Sequence, residues 1–126
     1  METKGSAGET NAGDKDHRTL HLTPLEVWKH QAQQADYRPE GFDSDGFIHC
    51  TDDLDELLSV GNRYYQSDSR EYVALTINCD LLTVPVRYED PDHKFPHIYG
   101  ALNVSAVERV QRVHRTARGF FVGFKL

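Results

Sequence analysis

Residues 46–65, GFIHCTDDLDELLSVGNRYY, carry the clearest structural signal in the chain, a short apolar strand followed by an amphipathic helix. Residues 46–50 are typical of a buried strand, and Thr51 is placed to cap the helix that follows. Acidic residues crowd the first helical turn, where the helix dipole favours negative charge. One face of the helix collects the apolar and aromatic side chains, which are Leu54, Leu57, Leu58, Gly61, Tyr64 and Tyr65.

A second helix is predicted upstream of this stretch, where several start signals agree. Thr23 is the expected N-cap, Pro24 takes the first helical position, and Glu26 completes a capping box with Thr23. Trp28 lies on the apolar face of this helix, which we expect to reach about residue 35. Both predicted helices therefore lie in the first half of the chain.

Strands dominate the rest of the sequence. Residues 106–114 fit a mostly exposed strand about as well as a short helix, and residues 36–45 are expected to form a loop because they contain Pro, Gly and several acids. The other apolar segments predict strands at residues 19–22, 71–78, 84–89 and 119–124. Early helices followed by strands favour an α+β domain with a mainly antiparallel sheet, since alternating βαβ units are missing from the pattern.

The length of 126 residues fits one domain. Residues 1–18 contain Gly, Ser, Thr, Asn and charge but almost no large apolar side chain. Such a segment buries too little apolar surface to offset its ordering entropy. We therefore expect a disordered tail over residues 1–18 and a single α+β domain over residues 19–126.

The composition also bears on partners and location. A net charge of -6 argues against nucleic acid or an anionic membrane as a partner. Two cysteines, no signal-peptide pattern and no long apolar run favour a cytoplasmic protein with reduced thiols. The oligomeric state is left open. A basic cluster near the C-terminus is expected to be a solvated strand face, and it consists of Arg109, Arg112, His114, Arg115 and Arg118.

Two segments that carry histidine are the best candidates for a site. His49 directly precedes a predicted helix start, whose free N–H groups favour anions. His97 lies in residues 95–100, FPHIYG, where Tyr99 can stack on a flat ring and Gly100 allows close approach of the backbone. A structural histidine and a strand with two core aromatics are the alternatives.

Other polar residues give weaker signals. His21 alternates with two leucines and is expected to be an ordinary exposed histidine on its own. Three histidines on three strands are able to bind a metal, but no local doublet such as H-x-x-x-H occurs, so we expect no metal. Cys50 should point away from His49 along the strand, which favours a core cysteine over a nucleophile. Glu89 ends a strand, where a solvated acid is the commoner role.

Taken together, these segments resemble the bacterial family called domain of unknown function 952. The resemblance covers about residues 19–124 and rests above all on GFIHC followed by Thr51 and on FPHIYG. It implies a fold similar to that of ADP-ribosyltransferases, a split mixed or mainly antiparallel sheet with a cleft for NAD. Supporting positions in the same order are His21, Trp28, Asn62, Tyr65 and Glu89.

The resemblance further implies ADP-ribosyl transfer with NAD as substrate, or related glycosidic chemistry. By that comparison His21 and His49 bind ribose and pyrophosphate, Thr51 lines the nicotinamide pocket and Tyr99 stacks on nicotinamide. His97 or Glu89 assists the acceptor. The acid that is usual in ADP-ribosyltransferases has no secure match here, and Glu89 and Glu108 are the candidates. The alternatives are a non-catalytic module that binds a nucleotide or small anion, and a protein-interaction domain.

Overall fold

The computed structural model describes residues 17–126, which form short strands and short helices. Two single turns of 3-10 helix, Cys79–Leu81 and Val104–Ala106, connect strands in the second half. The remaining elements in chain order are β1 (Arg18–Pro24), α1 (Leu25–Gln31), β2 (Asp36–Tyr37), α2 (Phe42–Asp45), β3 (Ile48–His49), α3 (Leu54–Tyr64), β4 (Tyr72–Asn78), β5 (Val86–Tyr88), β6 (Pro96–Ile98), β7 (Leu102–Asn103), β8 (Val107–Arg115) and β9 (Phe121–Phe124).

Every strand pairing in the described part of the chain is antiparallel. A four-stranded sheet has the order β1-β4-β8-β9, a three-stranded sheet has the order β3-β6-β5, and β2 pairs with β7. The α+β class and the mainly antiparallel pairing predicted from the sequence are confirmed. Within residues 17–126, the helix α3 is the longest at 11 residues, and no helix there is long and apolar enough to cross a membrane.

Strand β4 is buried on both faces because successive side chains of a strand point to opposite sides of the sheet. Val73, Leu75 and Ile77 enter one apolar cluster together with Trp28 of α1. The residues between them face the other way. Tyr72 and Ala74 enter a second cluster, against α3 and the last strand, with Leu22, Leu57, Val113 and Phe121. The central sheet therefore divides the interior into two cores.

Both predicted threonine caps are wrong, for one shared reason. Strand β1 continues through Thr23 to Pro24, so that α1 begins at Leu25, and the Thr23 hydroxyl lies 2.8 Å from the buried Tyr37 hydroxyl instead of capping the helix. Thr51 is also held in the sheet, where its backbone N–H and C=O both pair with Leu20 at 2.8 Å. In both cases strand pairing holds the threonine in the sheet, and the helix begins only after it.

Several boundaries differ from the sequence prediction. The first strand begins at Arg18, one residue before the predicted strand start, and residues 1–16 of the predicted tail lie outside the described residues. The predicted loop over residues 36–45 contains β2 and the one-turn helix α2. The predicted strand over residues 46–50 shortens to the two residues of β3. The ambiguous residues 106–114 form strand β8.

Arg115 does not belong to a solvated face, which corrects the expectation for the basic cluster. Its guanidinium donates hydrogen bonds to backbone carbonyls at 2.5–3.2 Å and lies 4.2 Å from the centre of the Phe121 ring. These contacts attach the segment between α3 and β4 to the hairpin formed by β8 and β9. The five carbonyls belong to Tyr65, Gln66, Asp68, Arg70 and Gly119.

Gly61 allows α3 to approach the last strand closely. A Cβ atom at this position would lie 2.7 Å from the Cγ atom of Phe121, whose side chain is buried. We expect Gly61→Ala to lower the free energy of unfolding by about 1–2 kcal/mol, because overpacking costs more than the gain of about 1 kcal/mol in helix propensity. Urea denaturation measures this, with the exposed Ser59→Ala in the same helix as a control. A stabilised Gly61→Ala variant would contradict the close approach.

Candidate functional site

A cavity of about 770 Å³ opens between α3 and the strands β1 and β3. Leu57 and Val60 of α3 provide apolar lining on one side. The polar side chains include three of the predicted histidines, discussed below. Aromatic rings make up much of the remaining wall, and they belong to Phe47, Tyr64, Tyr65, Tyr72 and Phe95. A concave, largely apolar surface with a few polar groups is the usual form of a small-molecule site.

His49 and His97 come together because β3 and β6 are neighbouring antiparallel strands. The two residues are direct partners in the register, and their ring centres lie 5.4 Å apart. Both line the cavity. Neighbouring positions across an antiparallel pair place side chains on the same face of the sheet. The strand pairing therefore joins two sequence motifs that are 48 positions apart.

The ring of His97 is held in place from two directions. Phe47 stacks on it with ring centres 4.0 Å apart and planes 14° apart. The His97 Nδ1 atom lies 3.2 Å from a Glu89 carboxylate oxygen, which also accepts a hydrogen bond from the Tyr99 hydroxyl. These two contacts, with the Tyr99 hydroxyl bond the larger cause, lower the pKa of Glu89, so the carboxylate stays ionised near neutral pH.

Glu89 and Tyr99 are not part of the cavity surface. The cavity lining includes His97 but neither of its two neighbours in the hydrogen-bond network. Tyr99 lies under Arg87, whose guanidinium carbon is 5.1 Å from the ring centre. Of the two residues predicted to be catalytic, His97 therefore faces the cavity, and Glu89 is connected to it through His97. Tyr99 has the same indirect position.

His49 is the more exposed member of the pair. Its side chain is 63% exposed, against 23% for His97. The Nε2 atom of His49 lies 3.2 Å from a carboxylate oxygen of Asp45, at the end of helix α2. Gly46 follows in the left-handed conformation, φ 81°, and ends α2 so that Phe47 and His49 can enter the cavity wall.

His21 is buried, which corrects the expectation of an exposed histidine. Its Nδ1 atom lies 2.7 Å from the His49 carbonyl oxygen, and its Nε2 atom lies 3.0 Å from the Tyr37 hydroxyl. Burial lowers the pKa of His21 to about 4, so the ring is neutral near pH 7. A carbonyl can only accept, so Nδ1 carries the proton of the neutral ring and Nε2, without a proton, lies beside the Tyr37 hydroxyl.

Both ring nitrogens of His21 are therefore occupied inside the protein. His21 lines the cavity, as does the predicted Thr51, which is also buried. In this arrangement the ring attaches β1 to β3 directly beneath His49. A role for His21 in contacting ribose or phosphate would require these bonds to break.

Two further residues considered from the sequence, Cys50 and Glu108, have structural roles, and the metal question is answered only for the described residues. Cys50 is fully buried, and burial raises the pKa of its thiol, as expected for a core cysteine and not for a nucleophile. Glu108 bonds Arg18 and Asn78 on the central sheet and is not among the cavity residues. Among residues 17–126, no group of three or more His, Cys, Asp or Glu side chains is arranged to hold a metal ion.

Several residues at the cavity were not identified from the sequence. Phe47 stands within the GFIHC motif, so its aromatic character next to His49 was the available signal. Asp45 and Glu40 lie in the segment predicted to be a loop. Arg63 lies in α3, where the helical pattern gives no signal that its side chain lines a cavity. Local periodicity identifies the buried face of a helix but does not reveal which polar neighbours meet across a cavity.

Arg70 pairs with three acids next to the cavity, of which Glu40 lines it. Its guanidinium forms a bidentate contact with Glu40 at 3.0 Å, contacts Asp68 at 2.7 Å and lies 3.3 Å from Glu26. The Arg70 guanidinium holds the pKa of the Asp68 carboxyl well below its usual range. Glu40 is thus paired within the protein, although it lines the cavity.

Comparison with known proteins relates the chain to a family and to solved structures. A family model described as "Protein of unknown function (DUF952)" matches residues 22–110. The crystal structure of protein CC0527 from Caulobacter crescentus has a TM-score of 0.70 and 20% sequence identity, with 83% of this chain and 93% of that chain covered. No curated protein matches the chain.

Two further structures of the same Caulobacter crescentus protein are similar. A double mutant gives a TM-score of 0.68 at 18% identity, covering 83% of this chain and 93% of that chain. The solution NMR structure gives 0.65 at 21% identity, covering 82% and 90%. Identities this low show a shared fold and say nothing about a ligand.

Proposed function

The chain belongs to the family of proteins of unknown function called DUF952, and we propose that it binds a small ligand of the nucleotide type in the cavity beside His49 and His97. The observation that carries this proposal is the wall formed by the stacked Phe47 and His97 rings with His49 beside them. Such a wall combines a flat aromatic surface with hydrogen-bonding nitrogens, as recognition of a base or a nicotinamide ring requires.

The size of the cavity suits such a ligand. Small-molecule pockets usually measure about 300–1,000 Å³, and this cavity measures about 770 Å³. The exposed Tyr64 ring at the end of α3, 65% accessible, offers a second aromatic surface at the mouth. A ring held on such aromatic surfaces gains stacking energy without requiring strong charge on the protein.

Arg63 offers a cation for the anionic part of a nucleotide. It lines the cavity, and among the described residues it has no carboxylate within ion-pair distance; its guanidinium carbon lies 6.0 Å from the centre of the Tyr64 ring. Of the two acids in the cavity wall, Glu40 is paired with Arg70, and Asp45 contacts the His49 ring. Arg63 is therefore a cation of the cavity lining with which a phosphate can pair, despite the net charge of -6.

ADP-ribosyl transfer with NAD as substrate is a second candidate, supported by the carboxylate next to the cavity wall. Cleavage of the bond between nicotinamide and ribose builds positive charge on the sugar, which a carboxylate stabilises. Glu89 is the candidate for that role, acting with His97 on the acceptor. Its place behind His97 favours assistance through the imidazole over direct contact with the sugar, and is equally compatible with a module that only binds.

Calorimetry with NAD, ADP-ribose and nicotinamide tests the binding proposal. We expect His49→Ala to weaken binding at least about 10-fold, which corresponds to roughly 1.4 kcal/mol. His30→Ala is the matched control, because His30 is an exposed histidine of α1 that does not line the cavity. Failure of all three ligands to bind at about 1 mM, near 4 kcal/mol of binding free energy, would refute a NAD-type site.

The same titrations with an Arg63 variant test whether Arg63 contacts the phosphate part of the ligand. Arg63→Gln should weaken the binding of NAD and ADP-ribose about 5- to 10-fold, because both carry phosphate. Nicotinamide has no phosphate, and its affinity should be unchanged. Equal losses for all three ligands would argue against contact between Arg63 and phosphate.

A further inference from the structure

The histidine pair has a hydrogen-bond pattern that binding alone does not explain. On His97 the Nδ1 atom is held by Glu89, and on His49 the Nε2 atom is held by Asp45. The other nitrogen of each ring has no partner within residues 17–126. Each imidazole is thus oriented by a carboxylate at one nitrogen and left with a free nitrogen at the other.

The hydrogen bond to Glu89 also selects a tautomer. An ionised carboxylate can only accept, so neutral His97 carries its proton on Nδ1 and presents a lone pair on Nε2. Stacking on Phe47 holds the plane of the same ring. A carboxylate that fixes the tautomer and orientation of an imidazole is the usual support for a histidine general base.

We propose that His97 and His49 form an acid–base pair that cleaves a ribonucleotide phosphodiester by internal transfer, a proposal that rests on nucleotide binding in this cavity. The free Nε2 of His97 takes the proton of the 2′-hydroxyl, and that oxygen forms a bond to the adjacent phosphorus. The bond from phosphorus to the leaving oxygen breaks with its electron pair. Nδ1–H of the His49 imidazolium protonates that oxygen, and the products are a 2′,3′-cyclic phosphate and an alcohol.

This class of reaction matches what the site contains. The nucleophile and the leaving group belong to one substrate, so the protein has to supply one base, one acid and a cation for the phosphate. The two rings lie 5.4 Å apart and both line the cavity, which allows contact with the same phosphodiester. Arg63 lines that cavity as well. Glu89 is the positioning residue for His97.

Two probes with different leaving groups separate the roles of the histidines. One is the dinucleoside phosphate ApA, which releases an alkoxide, and the other is adenosine 3′-(4-nitrophenyl phosphate), which releases a stable phenolate. His97→Ala should lower kcat/KM about 100-fold or more for both probes. His49→Ala should lower kcat about 100-fold for ApA but less than about 5-fold for the nitrophenyl ester, because that leaving group needs no proton, while the lost binding contact raises KM for both probes.

A spectroscopic measurement tests the positioning role of Glu89 without any substrate. Long-range ¹H–¹⁵N spectra should show neutral His97 as the Nδ1–H tautomer in the native protein. Glu89→Ala should shift the ring toward the Nε2–H tautomer and lower kcat for ApA about 10-fold with little change in KM. A native His97 found as the Nε2–H tautomer would overturn the assignment of His97 as the base.

The outcomes also separate this proposal from the one it rests on. Absence of cleavage of both probes by a protein that still binds ADP-ribose would overturn the acid–base pair and leave nucleotide binding standing. Cleavage that persists in a His97→Ala, His49→Ala double variant purified in the same way would show a contaminating nuclease and overturn the pair as well. Cleavage retained by the His30→Ala control and lost as described in the single variants supports the proposal.

Discussion

Replacing Arg115 by methionine is expected to lower the free energy of unfolding by about 3 kcal/mol or more, near the upper end of single-residue effects. The guanidinium donates to five backbone carbonyls from two segments, and hydrogen bonds to a charged group contribute about 1.5–3 kcal/mol each at most. Methionine keeps the apolar contact with Phe121 but leaves the carbonyls unpaired.

Arg115→Lys should recover only part of this stability. An ammonium group is a compact charge and cannot reach carbonyls on both sides as the planar guanidinium does. Arg112→Met on the same strand is the matched control, because Arg112 is exposed and forms a single surface contact with Glu71 at 3.5 Å. That variant should lose about 0.5 kcal/mol or less.

Urea denaturation with fluorescence detection measures all three variants. Equal midpoints for Arg115→Met and Arg112→Met would show that the carbonyl contacts of Arg115 contribute nothing to stability. Hydrogen exchange gives a more local measurement, since the segment between α3 and β4 should lose protection first when Arg115 is replaced.

Lowering the pH from 7 to 5 is expected to remove about 2 kcal/mol of stability through His21 alone. The pKa of His21 is about 4 in the folded protein, against an ordinary value of 6.5. Between these values the unfolded chain binds more protons than the folded one, so stability falls as the pH falls. The contribution is fully present above about pH 6.5 and lost by about pH 4.

Measurement between pH 7 and pH 5 separates the effect of His21 protonation on stability from that of carboxylate protonation. The pKa values of Glu40, Asp68 and Glu89 are lowered by their partners, so their contributions are present above the ordinary carboxyl values and are lost at lower pH. Denaturation curves of the native protein and of His21→Gln at both pH values measure the difference. The variant should be less stable at pH 7 and show a pH dependence smaller by about 2 kcal/mol.

Parallel pH dependence in the two proteins would contradict the buried, neutral state of His21. Tyr37→Phe offers an independent check, because it removes the hydroxyl that lies 3.0 Å from Nε2 while retaining the ring in the core. We expect that variant to be less stable at pH 7 by about 1–2 kcal/mol, the typical effect of leaving one buried acceptor without a partner.

The amphipathic helix α3 and the strand β4 could be predicted from the sequence because both signals are local, a helical periodicity for α3 and a β-rich apolar run for β4. Side chains three and four positions apart share a helix face, and alternate residues share a strand face, whatever the rest of the chain does. The same reasoning failed at Thr23 and Thr51. Their capping signals are local too, but β1 extends past Thr23 and pairs with Thr51, and strand pairing is decided by distant residues.

The same distinction between local signals and contacts of distant residues applies to the candidate site. Sequence alone identified His49 and His97 as separate candidates, each from its own motif. That they face each other across paired strands, with Phe47 stacked on one ring and a carboxylate at each, was decided by the register of β3 against β6. His21 shows the reverse case, since its alternation with leucines predicted exposure and the tertiary structure buried it beneath His49.

The sequence by itself determined the α+β class, the elements with strong periodicity and the two motifs that carry the histidines. Only the tertiary structure decided which histidine has free nitrogens, which acid stands behind it and where the cavity opens. The physical reason is that propensity and periodicity act between residues a few positions apart. Burial, hydrogen-bond partners and protonation depend on groups brought together from distant parts of the chain.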